Sequence, residues 1–542
     1  MKSNLKKYIV LLSACAALVS CDDWLDATSD SSTLSEEAIW TSKETADKYI
    51  NGFYTYIHKY GQFGTAQFGG SMTESLTDEL KYGSEALGNQ AGHPNNYVTN
   101  PDAITADGCL WGIWSSAYEQ IRRVNGFLES RARFSHFDAQ TDTLYVAQAK
   151  FFRAFLHFQL AKRHPKGIIY YKELPRSNDR ALNTPEEVWQ NIYDDLRYAA
   201  DNLPVEWTSN DKGRITKGAA WAMISRTMLY AERWQDAYDA ADSVIALNKY
   251  GLMDKYEDSW KGNNKEAILE FDYNKNGANH SFDQDYVPMC FGYEFGAKGT
   301  PTQEMVECYE RADGSRLDWS GYHDGSVKVR PNYESLEPRF HATIYYNGCP
   351  FGTEGKTMDC TVNGVNGEYV PYGSAPYTYG KTTTGYFLRK LIDETHTDYV
   401  GVKSTQPWVE IRYAEVLLNK AEAAYRLGKN DYQAPMNEVR GRVGLPEKNT
   451  TGESWFADYR NERKVELAYE GHHFWDMRRW RLAHIELNKY MCHGFRITGS
   501  TFNYEPCDLA TRWFDKKLYC LPIPSSELRE NNLINEQFEE WR

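Results

Sequence analysis

A chain of 542 residues is too long for one ordinary compact core, and a formal net charge of -14 disfavours a phosphate-backbone partner. Several domains or a repeat array are therefore expected, and nucleic acid is not. Hydrophobic residues at 41%, among them 16 Trp, 39 Tyr and 23 Phe, exclude a disordered polymer despite a mean hydropathy of -0.66.

The chain opens on a processing segment (1–20). Lys2, Lys6 and Lys7 surround the start of an apolar run, YIVLLSACAALV (8–19), and Leu18-Val19-Ser20-Cys21 has the spacing of a bacterial lipobox. Cleavage there leaves Cys21 as a lipidated N-terminus. Leu12-Ser13-Ala14-Cys15 fits the same pattern but would leave an unusually short apolar run, and an ordinary secretory signal is the plain alternative. No later stretch approaches the roughly 18 apolar residues that span a bilayer. The sequence therefore predicts an exported chain tethered by lipid.

Helical signals then arrive in pairs. A first candidate runs from Glu36 to His58. YVAQAKFFRAFLHFQLAKRH (145–164) places Ala149, Phe152, Phe155, Leu156 and Leu160 on one face. TPEEVWQNIYDDLRYAADNLP (184–204) has Thr184 as N-cap and Pro185 in the first helical position. Residues 216–247 read as a helical hairpin turning near Glu232-Arg233-Trp234, with small alanines where two helices must approach. Residues 411–445 repeat the theme around a Leu-Gly turn. These units look like degenerate tetratricopeptide repeats, with unrelated hairpins as the alternative. Between 250 and 405 the composition shifts to Gly, Pro, Tyr, Asn and Thr, which make loops and short strands. The expected fold is mostly α, a tetratricopeptide-like helical hairpin scaffold (21–249 and 406–542) with an inserted loop-rich, short-strand subdomain (250–405).

Chemistry is sparse. PFGTEGKT (350–357) and YGKT (379–382) lack the first glycine of a phosphate loop, and no HExxH or GxSxG is present. No catalytic residue is singled out, so a glycoside hydrolase stays an alternative reading. Asp272, Asn274, Asn276, Gly277 and Asp283 follow a calcium-loop spacing, but the flanking helices are missing and a simple turn is preferred. No cofactor and no metal are expected. The eight cysteines after Cys21 contain no CxxC; Cys349–Cys360 and Cys492–Cys507 are the pairs that would close short loops. Aromatic and amide side chains instead gather in loops: GHPNNYVTNPD (92–102), DYVPMCFGYEFGAKGTPT (285–302) and DGSRLDWSGYHDG (313–325). Flat rings meet the C–H face of a sugar, and amide or carboxylate groups meet its hydroxyls, although each such ring taken alone is more often core.

ERKVELAYEGHHFWDMRRW (462–480) closely resembles the C-terminal signature of the SusD/RagB family. Glu462, Arg463, Glu466, Leu467, Glu470, Gly471, Asp476, Arg479 and Trp480 fit it, with Met477 for Leu and His473 where an Arg is usual. CDDWLD (21–26), FFRAFLHFQLAKRHPKGIIYY (151–171), PTQEMVECYERADG (301–314), EPRFHATIYYNG (337–348) and LPIPSSELRENNLINEQ (521–537) resemble further family motifs in the same order. Asn535-Glu536 departs from the usual Gln-Asn. The resemblance implies a lipid-anchored, non-enzymatic surface protein of the outer membrane that captures glycan for a SusC-like TonB-dependent transporter. Some relatives take peptides, which is the alternative. It also implies a ligand site near His93, Asn96, Tyr97, Tyr293 and Trp319, with Asp78 and Tyr82 as neighbours. His93 stands near where a starch-binding member carries a Trp. The charged stretch itself is expected to be scaffold, its arginines and carboxylates satisfying one another beside buried aromatics.

Overall fold

The computed structural model describes residues 36–66, 72–83, 93–109, 111–208, 211–289, 296–352, 355–372 and 380–542. Nine helices carry the scaffold: α1 (Lys43–Asn51), α2 (Trp114–Phe134), α3 (Ala139–Ala161), α4 (Pro185–Asn202), α5 (Lys217–Tyr230), α6 (Trp234–Ala246), α7 (Tyr413–Arg426), α8 (Gln433–Arg442) and α9 (Gly452–Glu466). From α2 to α8 each packs on the next in sequence, and α9 lies across α7 and α8. The α6–α7 contact closes the array across the interruption between them, so the helical scaffold is continuous in space although not in sequence.

Local chemistry accounts for the helix ends. Thr184 caps α4 through the N–H of Glu187, whose carboxylate returns to the Thr184 N–H, and Pro185 fills the first position as the sequence predicts. The α5–α6 turn needs a left-handed residue, and Glu232 takes it with φ 56°. α3 departs from its expected pattern. It begins six residues earlier, capped by Asp138, and its second half is buried on every side instead of along one stripe. Its polar groups are answered internally: Arg153 binds Asp195 through two bonds of 2.7 and 2.8 Å. His157 donates to the Arg153 carbonyl and accepts from Tyr171 N–H, and burial pushes its pKa down to about 3.

The insertion leaves and rejoins the scaffold at one place. Strand Ala267–Phe271 pairs antiparallel with Trp408–Arg412, so the end that the sequence assigns to the start of a helix is extended backbone feeding α7. The other sheets also have two short strands. The insertion has its own aromatic core, built on Tyr256, Tyr286, Tyr309, Tyr333, Phe340 and Phe387.

The signature stretch lies between the helical and the insertion cores. Glu462 takes Arg339 and Arg440; Glu466 takes Arg339, Arg412 and Arg442; Glu470 takes Arg412 and Lys390; all these groups are buried. Arg463 and Arg479 share Asp476, and Arg479 also grips Glu422 through two bonds of 2.7 Å, beside Trp480 Nε1 at 2.8 Å. Burial pushes the Glu422 carboxyl up, but Arg479 and Arg463 outweigh it and hold the pKa at about 2. A depressed folded-state pKa stabilises above the unfolded value near 4.5 and is lost as pH falls toward 2, a loss of ~3 kcal/mol. Unfolding by urea between pH 5 and pH 2 is expected to show that loss, and Glu422→Gln to flatten its share of it; an unchanged pH slope in the variant would count against the assignment.

Candidate functional site

Of the sequence-predicted residues, Tyr82 sits on a short strand, and His93, Asn96 and Tyr97 sit at or on the short helix beside it. Leu80–Tyr82 pairs antiparallel with Gly299–Pro301, which fixes Tyr82 opposite Gly299. Tyr82 OH and His93 Nδ1 share a hydrogen bond of 2.9 Å, and their rings lie 5.4 Å apart; Tyr82 itself is 5% exposed, so it positions His93 and presents no open ring face. His93 precedes the helix Pro94–Thr99, on which Asn96 is half-buried, its side-chain amide unpartnered among the described residues.

Beneath this rim lies a closed polar floor. Lys81, 1% exposed, donates to Asp508 at 2.6 Å and to Asn95 Oδ1 at 3.2 Å, with its ammonium 3.5 Å from the Tyr372 ring centroid. Asn95 in turn donates to the Tyr82 carbonyl and to Tyr372 OH. Burial raises the Asp508 carboxyl, yet Arg512 and Lys81 outweigh it and keep it far below the usual carboxylate range. The rim thus stands on a base of buried polar groups that partner one another.

Asp78 lies at the other end of the same segment. It accepts from Lys464 at 2.9 Å and from His473 Nε2 at 3.0 Å. His473, in the signature position where an Arg is usual, therefore has Asp78 as its partner. Burial opposes the Asp78 charge, but Lys464 and His473 prevail and hold its pKa well below the ordinary value.

Two further predicted residues are core side chains as well. Tyr97, 8% exposed, meets Trp111 edge-on at 6.0 Å, because its helix buries that face against Trp111 and Leu76. Trp319, 6% exposed, packs on Tyr322 at 5.6 Å, and Tyr322 in turn on Phe495. Neither presents an open ring face. Tyr293 and Cys21 lie outside the described residues.

The structure also assembles a ring row that the sequence did not single out. His493 stacks on Tyr504 (4.5 Å, 12°), and His323 lies 4.8 Å from the same ring. Glu304 bonds His493 Nδ1 at 2.7 Å and Glu307 bonds His323 Nε2 at 2.7 Å; the two acids stand three residues apart at one short helix. His323 and the hairpin His493–Thr498/Thr501–Pro506 are far apart in sequence, so no local spacing announces the row. Trp513 is a second unannounced group: the residue is 41% exposed, and its backbone N–H bonds the Val98 carbonyl at 2.6 Å, at the Asn96 helix.

The calcium-spaced residues have separate partners. Asp272 takes Asn263, whereas Asp283 takes Ser404 Oγ and the Asp393 N–H. Among the described residues no three His, Cys, Asp or Glu side chains are grouped to hold a metal ion. The seven described cysteines are free thiols, including both suggested pairs, although Cys507 N–H bonds the Cys492 carbonyl directly across the hairpin end.

A helical-repeat scaffold bearing a loop-built polar and aromatic surface is the class of protein that this fold and site define. Residues 265–541 match the family model described as SusD family, and residues 23–229 match one described as starch-binding, associating with outer membrane. The chain belongs to the SusD family. It is 25% identical to SusD-like protein P2 of Formosa agariphila over 98% of this chain and 99% of that one. Its fold is similar to that of a SusD-like protein from Bacteroides fragilis (TM-score 0.80, 26% identity, 92% of this chain and 98% of that one). It also resembles a surface glycan-binding protein from Bacteroides thetaiotaomicron in complex with laminarihexaose (TM-score 0.65, 18% identity, 92% and 99%), a likeness of fold.

Proposed function

We propose that this protein captures a glycan at the rim formed by His93 and Asn96, with Tyr82 holding His93 in place, and passes it, unhydrolysed, to a SusC-like TonB-dependent transporter. The observation that carries the reading is half-buried His93, tied to the buried Tyr82 hydroxyl at 2.9 Å, beside an Asn96 amide with no partner among the described residues. The imidazole supplies C–H contact to a pyranose, while the imidazole and amide supply hydrogen-bond partners for its hydroxyls. Family membership supports the reading, as does the glycan complex of a protein with the same fold. The lipobox at Cys21 supports attachment to the outer membrane by lipid, and no helix among the described residues is long and apolar enough to cross a membrane.

Thermal-shift screening against a polysaccharide panel, with each sample assayed for released sugar, tests the proposal. A glycan that binds the native state at about 100 times its Kd stabilises by ~2.7 kcal/mol and must raise Tm. His93→Ala is expected to weaken that binding about tenfold while the ligand-free Tm stays within a degree or two. Sugar release abolished by one carboxylate substitution would replace capture with hydrolysis, and protection by peptide mixtures alone would replace the ligand class.

A further inference from the structure

A cavity of about 850 Å³ opens in the insertion, lined by none of the residues discussed above as the glycan rim. Its size falls within the range of roughly 300–1,000 Å³ typical of ligand sites. Leu336, Pro338, Ala342 and Ile392 give it an apolar floor. Four carboxylates and two cations complete the lining, and both cations are already taken: Arg389 by Glu394 at 2.7 Å and Lys261 by Asp258 at 2.8 Å. Glu334 is held by Arg330. What remains is Glu257, exposed and without an ion pair among the described residues, and Asp393, whose Oδ1 accepts only from Thr395.

Trp260 adds a hydrogen-bond donor to the wall. It is 6% exposed and lines the cavity, and its indole N–H, which is not sealed from solvent, has no hydrogen-bond partner among the described residues. An open donor of this kind is available to a bound acceptor. Its ring is not a platform, because the Lys390 ammonium lies 5.0 Å from the centroid and Tyr256 packs edge-on at 5.0 Å. His341 is similarly walled in by Phe340 and Tyr346. A neutral sugar therefore meets no open ring face here.

We propose that this cavity is a separate binding site for a short peptide segment in which an apolar side chain adjoins lysine or arginine. The apolar side chain seats on Leu336 and Ile392, a backbone carbonyl accepts from Trp260, and the cation faces Glu257 and Asp393. The site stands independently of the glycan reading, since it shares no residue with that rim.

A fluorescein-labelled, end-capped Lys-Leu-Lys-Leu-Lys peptide titrated against the whole protein and followed by anisotropy tests it. The peptide is expected to bind at low ionic strength, to weaken as salt screens the charges, and to bind at least tenfold more tightly than its Gln and Glu analogues. Glu257→Gln with Asp393→Asn is expected to cost about tenfold. Ala312→Trp, at an exposed position on the lining, is expected to abolish binding while leaving Tm and glycan affinity unchanged. Equal binding of the three peptides, no binding of any, or binding indifferent to Ala312→Trp would overturn the proposal. So would a saccharide whose binding alone is lost in Ala312→Trp, which would make the cavity a sugar site.

Discussion

Glu466→Gln is expected to destabilise the protein by about 3–5 kcal/mol, seen as a fall in the urea midpoint. The side chain is fully buried, and its carboxylate faces Arg339 at 3.0 Å, Arg412 at 2.5 Å and Arg442 at 2.5 Å. Burial alone would raise the Glu466 pKa; Arg442, Arg412 and Arg339 outweigh it and hold it well below the carboxylate range. The amide keeps the volume but removes the charge, so the three guanidiniums are left with Glu266, Glu337, Glu462 and Glu470 to share. Because the network joins the insertion, through Arg339 and Lys390, to α7, α8 and α9, the loss should not stay local. A double-mutant cycle of Glu466→Gln with Arg442→Met separates charge imbalance from lost packing: the double variant is expected to be less costly than the sum. A single-variant cost below 1 kcal/mol would mean that the network relaxes and does not fix the junction.

Much of this architecture can be read locally. Thr184-Pro185 announces the start of α4, and the alanines of α5 and α6 announce close helix approach. α2 is the instructive miss. Its buried face includes Gln120 and Asn125 among Ile121, Val124 and Phe127, and Ile113 offers no side-chain cap, so neither the apolar stripe nor the start signal is clean. The pairing of Ala267–Phe271 with Trp408–Arg412 is a different kind of miss: it spans the whole insertion, and local pattern carries no information about so remote a partner. The same limit applies to the site. Loop composition says that rings are present, but which ring is open depends on residues far away in sequence. Tyr82 is closed off on a strand buried along its length, Tyr97 is closed off by Trp111, and the His323–Tyr504–His493 row exists only once the hairpin meets the helix of Glu304.

Trp319 shows why that distinction matters for experiment. As an open platform it would tolerate Trp319→Ala with unchanged stability and lost sugar binding. In the structure it is 6% exposed and belongs to the insertion core, so the same substitution is expected to cost about 3–5 kcal/mol, transfer and cavity terms together. Its indole N–H is buried without a partner, so the ring is held by apolar contact, and Trp319→Phe should recover most of the loss. Its carbonyl accepts from the N–H groups of Tyr322 and His323, which places it at the start of the turn that carries His323 to Glu307. Any glycan affinity lost with Trp319→Ala is therefore expected to fall together with the urea midpoint and not on its own. His93→Ala predicts the reverse pair of results, affinity lost and midpoint kept. Measured side by side, the two variants separate a ring that holds the surface in place from one that touches the ligand; a Trp319→Ala protein as stable as the parent would return Trp319 to the second class.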